Sequence, residues 1–208
     1  FNLPLNGDIN LVIQKDGEIN KVKFNFSSGR GKIAFQDPIQ VSTIVQEIKF
    51  LGQYDKTVGR LKIENLTLNF EKGGALELPA PFDHEWPGRK VSFKGDYDFD
   101  FERLTIQDLN FYVKEVVVTA SATIRRFRDM VAFELDGEAN ELAIKQVLGA
   151  WPKGLSEIAR EWLTENLVEG SVSSMKANMT GSYSRKNGFE VSTILGFIDF
   201  QDMLLLFF

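Results

Sequence analysis

The chain has 208 residues, 43% hydrophobic and 25% charged, a composition that folds and that suffices for one large core or two small ones. Its formal net charge is −5 and it carries no long basic block, which excludes the electrostatic footprint of a nucleic-acid binder. The absence of cysteine excludes disulfide frameworks, thiolate zinc sites and cysteine nucleophiles together.

From its start, the chain reads as a piece of something longer. Phe1 opens inside a strand-like pattern with no charged-then-apolar leader, and the longest apolar run is Met203 to Phe208, too short to span a bilayer. Any anchor or targeting signal is expected outside this window. Phe accounts for 18 of the aromatic residues, a bias toward side chains that fill apolar space without needing a hydrogen-bond partner.

Glycines recur inside short alternating stretches at Gly7, Gly52, Gly95, Gly137 and Gly181. Their spacing divides the chain into repeats of approximately 1–45, 46–88, 89–130, 131–175 and 176–208 within one continuous unit, 1–208. After the first glycine comes Ile19-x-x-Val22-x-Phe24-x-Phe26. After the second comes Leu61-x-Ile63-x-x-Leu66-x-Leu68-x-Phe70, and after the third Leu104-x-Ile106-x-x-Leu109-x-Phe111-x-Val113. A one-residue skip in a period-two pattern flips the apolar set to the other face unless a bulge absorbs it, so bulges are expected near Glu64 and Gln107.

Each unit then turns into a third strand: Gly31 to Phe35, Gly74 to Leu78, and Val116 to Ile124. Lys15-Asp16-Gly17-Glu18 and Lys186-Asn187-Gly188 supply the positive-φ positions that hairpins need. Asn140 to Ala150 and Leu155 to Val168 carry helix formers, with Leu155, Ile158, Ala159, Trp162 and Leu167 near one face. They predict a helical hairpin over approximately 140–168, turning through Trp151-Pro152-Lys153-Gly154, capped by Gly170, with strands resuming at Ser171. The expected fold is mainly β: a repetitive antiparallel meander curled into a groove, with that one inserted hairpin.

No constellation points to catalysis, a metal or a cofactor. Ser28-Gly-Arg-Gly-Lys32 reads as a β-turn, because no helix follows to aim its N-terminus at a phosphate. His84 stands in His-Glu-Trp-Pro-Gly, without the second histidine of a metalloprotease helix. Asp96-Tyr-Asp98-Phe-Asp100-Phe-Glu102 departs from a calcium loop at its sixth and twelfth positions, Phe101 and Gln107. On a strand, its carboxylates form a solvated face opposite Tyr97, Phe99 and Phe101. Arg125-Arg-Phe-Arg128 reads as a loop facing water.

The segment from Trp151 to Val172 carries a resemblance. Trp151, Pro152, Ala159, Arg160, Trp162, Leu163, Asn166, Leu167, Gly170 and Val172 match a stretch of the AsmA-like proteins of Gram-negative bacteria, the group that includes YhdP and TamB relatives. The resemblance implies a periplasmic segment of an inner-membrane-anchored parent. It further implies repeated strands that curl into a groove for phospholipid, envelope proteins as partners and no catalytic residues. On that reading Val22, Phe24, Phe26, Leu66, Leu68, Phe70, Leu109, Phe111 and Val113 are the lipid-groove candidates. Periodicity alone favours these residues closing a sandwich core, since alternation identifies inward positions and not what they touch; the resemblance is what favours the groove.

Overall fold

The computed structural model describes residues 4–35, 41–71, 76–77, 85–86, 88–113, 116–127, 129–143, 145–146, 148 and 157–205. In chain order its strands are β1 (Leu5–Ile13), β2 (Ile19–Ser28), β3 (Gly31–Phe35), β4 (Val41–Asp55), β5 (Arg60–Phe70), β6 (Leu76–Glu77) and β7 (Glu85–Trp86). They continue with β8 (Gly88–Asp98), β9 (Arg103–Val113), β10 (Val116–Phe127) and β11 (Met130–Ala143). A helix, α1 (Glu157–Asn166), then precedes β12 (Leu167–Ser184) and β13 (Gly188–Leu205).

All thirteen strands belong to one sheet whose main path runs β1-β2-β4-β5-β8-β9-β10-β11-β12-β13. Every pairing is antiparallel, and the path is open at β1 and β13. It is a curled meander, mainly β as the alternation predicts.

The expected bulges are present. Glu64 is the extra residue where Leu51 pairs with Asn65 and Gly52 with Ile63. Gln107 and Asp108 of β9 face the single Ser121 of β10, between the pairs Ala120–Leu109 and Ala122–Ile106. A bulge at Asn20 matches the shortened first pattern, and another at Ser192 stands between the pairs Thr180–Thr193 and Gly181–Val191. Gly17 and Gly188 take φ of 85° and 73° in the two hairpin turns, a backbone that only glycine adopts without steric cost.

Three expectations change. The third strand of the first unit, β3, is not a further rung, because it pairs with the first half of β4 while β2 pairs with the second half. β2 and β3 are thus one line kinked at Gly29 and Arg30. Alternation marks both pieces as strand but says nothing about which neighbour each chooses.

Of the helical hairpin, Lys145, Gln146 and Leu148 are helical in the first arm and α1 forms the second, while the start of the first arm is strand. Asn140 to Ala143 complete β11, paired with β12 through Leu142–Val172 and Ala143–Ser171. The turn Trp151 to Gly154 lies outside the described residues, as do His84 and Arg128. Strand resumes at Leu167 rather than Ser171, and Gly170 lies inside β12 instead of capping the helix. At that end the Asn166 side-chain amide donates to the Trp162 carbonyl at 2.8 Å, supplying the satisfaction that a glycine cap would otherwise give.

The helix also faces differently. Leu163 is buried, whereas Ile158 and Trp162 are 83% and 51% exposed. Leu163 packs with Ala139, Leu142 and Val172 at one end of the sheet. A second cluster joins Ile33 of β3, Val45 of β4 and Phe70 of β5.

Candidate functional site

Because antiparallel partners share a face, the registers assemble cross-strand rows. One row runs Ile9, Phe24, Gly52, Ile63, Gly95, Ile106, Ala122, Leu135, Met179 and Ile194. It crosses all ten rungs of the main path without a charged or hydrogen-bonding side chain. The bulges make this possible, since without the extra residue at Glu64 or Gln107 the rest of each strand would turn its apolar set to the opposite face.

The groove candidates fall on this same face. Val22 stands opposite Tyr54, Phe24 opposite Gly52, and Phe26 opposite Phe50; Phe50 continues the row to Leu66. Phe24 contacts Phe26 and Phe50 with ring centroids at 5.8 and 6.4 Å. Val22, Phe24, Phe26, Leu66 and Leu109 are half-buried, with part of each side chain open to solvent.

Others are engaged by protein. Phe70 is 6% exposed within the cluster with Ile33 and Val45, and Leu68 and Phe111 pack against that cluster. Val113 pairs with Gly88 and Val116, and its side chain lies outside the described residues. Along the apolar row Gly52, Ile63, Gly95, Ile106 and Ala122 are buried, whereas Ile9 and Ile194 at its two ends are 57% and 40% exposed; Leu163 of α1 closes the face over Ala139, Leu142 and Val172.

The opposite face is polar. Lys21, Asp55, Arg60, Asp98, Arg103 and Arg125 form one row across six rungs, with ion pairs Lys21–Asp55 at 2.9 Å and Arg60–Asp98 at 3.3 Å. Asp98 is 6% exposed and not part of a solvated face. Its carboxylate accepts hydrogen bonds from the backbone N–H groups of Asp100 and Phe101, each at 3.2 Å, and so closes the turn to β9. Burial pushes this carboxyl up. The Phe101 N–H, the hydrogen bond and charge of Arg60, and the Asp100 N–H outweigh it and hold the group below the usual carboxylate range.

The strand expected through Glu102 therefore stops at Asp98. Phe101 projects into solvent at 70% exposure, while Phe99 returns to meet Tyr97 and Tyr54 edge-on at 4.7 and 5.5 Å. The hydroxyl-bearing rings thus cluster at the turn end of the apolar face.

A hollow of about 730 Å³ lies on the polar face over the bulge region. Lys94, Asp108, Asn110, Thr119, Asp136, Glu138, Lys176 and Asn178 line it, with Leu195 and Phe197 at its β13 end. Leu109 is the one groove candidate at its wall. The Lys94–Asp108 ion pair at 3.2 Å and the Asn178-to-Asp136 hydrogen bond at 2.8 Å satisfy much of the hollow internally. This hollow was not legible in the alternation, which assigns faces and not curvature.

Among the described residues there is no group of three or more His, Asp or Glu placed to hold a metal ion. No described helix is long and apolar enough to cross a membrane. No family model, curated protein or solved structure matches the chain.

Proposed function

We propose that the chain is a non-enzymatic lipid-binding segment whose apolar β face holds phospholipid acyl chains. In the setting implied by the AsmA-like resemblance, its parent is a periplasmic protein anchored in the inner membrane and working in phospholipid transfer. The observation that carries this reading is the ten-rung apolar row, continuous across the sheet, in and beside which Val22, Phe24, Phe26, Leu66 and Leu109 keep side chains partly open to solvent.

A sheet face of this kind loses free energy to water until something covers it. Each acyl methylene buried there contributes about 0.8 kcal/mol, so ten of them supply about 8 kcal/mol without any polar recognition. Half-buried Phe24, Phe26 and Leu66 offer apolar contact, and the tyrosines at the turn end offer hydroxyls at the level where a headgroup would meet water. The polar hollow on the other face plays no part in holding hydrocarbon.

A photoreactive residue at Phe24, Leu66 or Leu109, in protein incubated with phosphatidylethanolamine and phosphatidylglycerol vesicles, is expected to form lipid adducts seen by mass spectrometry. The same residue at Lys62 or Thr105, on the polar face, is expected to form none. Protein adducts in place of lipid would favour the second reading, a structural or interaction module in outer-membrane assembly. That reading draws on the open β1 and β13 edges, which are competent for strand addition.

A further inference from the structure

On the polar face two cations meet with no carboxylate between them. Arg103 of β9 lies directly opposite Arg125 of β10, and two residues along each strand, on the same face, Thr105 lies opposite Thr123. Arg125 thus belongs to strand β10 rather than to a loop. The carboxylate in register with Arg103 is Asp98, and it is committed elsewhere. Its Oδ2 accepts from Arg60 at 3.3 Å, and its Oδ1 accepts from the Asp100 and Phe101 N–H groups. On its other side Arg125 faces Ala132, which in turn faces Ser182. Glu134 stands diagonally across from Arg125, opposite Thr123, yet among the described residues neither arginine makes an ion pair.

Neutral acceptors do not satisfy the pair either. Arg103 Nε is buried without a hydrogen-bond partner, and a buried cationic donor of this kind costs free energy until an acceptor meets it. The Phe101 ring lies over the same guanidinium, 5.9 Å from centroid to Cζ. It covers one flat side and leaves the edge that forks an oxyanion. Just beyond the pair, the Arg126 N–H donates to the Glu102 carbonyl at 3.0 Å, which holds the two strands in register up to their turn.

We infer that Arg103 and Arg125, with the hydroxyls of Thr105 and Thr123 beside them, bind the phosphate of a phosphate ester. Side chains directly opposite each other have Cβ atoms about 4.5–5.5 Å apart, so both guanidinium groups reach one tetrahedral oxyanion, each with two parallel N–H donors. The bound charge also offsets the repulsion between the two arginines. β9 and β10 are the sixth and seventh strands of the main path, so the site is interior to the sheet. It stands independently of what the apolar face carries. A soluble phosphate ester and a lipid headgroup present the same group, and the experiment separates them.

Phosphorus NMR of the chain with inorganic phosphate, in chloride buffer at fixed ionic strength, is expected to show saturable binding with a dissociation constant on the order of 1 mM. Arg125→Lys, which keeps the charge but loses the fork, is expected to weaken binding by about tenfold. Arg125→Gln and Arg103→Gln are expected to abolish saturation, Arg125→Gln with circular dichroism unchanged. Flotation with phosphatidylcholine vesicles containing phosphatidic acid identifies the source. Retention that Arg125→Gln removes and inorganic phosphate competes away assigns a lipid headgroup. Saturable phosphate binding without Arg125-dependent retention assigns a soluble phosphate ester. A phosphate response that does not saturate, that chloride reproduces, or that Arg125→Gln leaves unchanged would overturn the inference.

Discussion

Gly95 of β8 sits opposite Ile106 of β9, and the place where its Cβ would stand is occupied by the backbone carbonyl oxygen of Thr105. Gly52 opposite Ile63 repeats the relationship, with the Lys62 oxygen 2.8 Å from the Cβ position, and Gly181 opposite Val191 repeats it with the Glu190 oxygen at 2.5 Å. In all three hairpins the bulged residue follows at once: Glu64, Gln107, Ser192. Glycine, β-branched partner and bulge form one local device for close approach and bending of the paired strands.

Substitution at these glycines should divide sharply. Gly95→Val is expected to abolish soluble folded protein, because a backbone carbonyl cannot move aside without breaking the ladder. Gly137→Ala should stay within about 0.5 kcal/mol of the parent, since its Cβ position meets nothing closer than 3.8 Å. Yield, circular dichroism and urea midpoints distinguish the two.

The rotation of α1 gives a second contrast. Leu163→Ala is expected to destabilise the chain by about 2–5 kcal/mol, as it empties the cluster with Ala139, Leu142 and Val172. Ile158→Ala, on the exposed side of the same helix, should change stability by less than about 0.5 kcal/mol. A larger loss for Ile158→Ala than for Leu163→Ala in chemical denaturation would mean that the helix faces as its apolar stripe predicts.

Asp98 makes folding acid-sensitive. Its folded pKa is depressed, so its contribution is fully present above the unfolded value of about 3.9 and is lost as pH falls through the lower, folded value. Asp98→Asn is expected to lower the melting temperature at neutral pH and to flatten its decline below about pH 4. An unchanged acid limb would refute the role of this carboxylate.

The charge row ends with Arg103 facing Arg125, a like-charge pair across neighbouring strands. Arg125→Glu restores the alternation of sign and should raise the melting temperature by about 1–3 °C at low salt. The gain should shrink in high salt, and calorimetry at two ionic strengths tests both expectations.

Much of the sheet was legible because side-chain alternation is a local property. The skips at Glu64 and Gln107 gave the bulges, and Asp16-Gly17 and Asn187-Gly188 gave the turns. Phe189-x-Val191-x-x-Ile194 carries the same spacing and yields the bulge at Ser192 by the same rule. The place of β3, the facing of α1 and the burial of Asp98 were not legible, because each depends on contacts between residues distant in the chain. Of the groove candidates, sequence identified a common face for Phe24, Phe26 and Leu66 but could not separate them from Phe70, which is buried against Ile33 and Val45.

Every rung of the main path is antiparallel to its neighbours, and the apolar row passes from rung to rung without interruption. Adding or deleting a pair of rungs would shift no remaining side chain to the wrong face. Span is therefore an adjustable quantity in this architecture, set by how many hairpins are strung together, while the chemistry of the two surfaces stays constant.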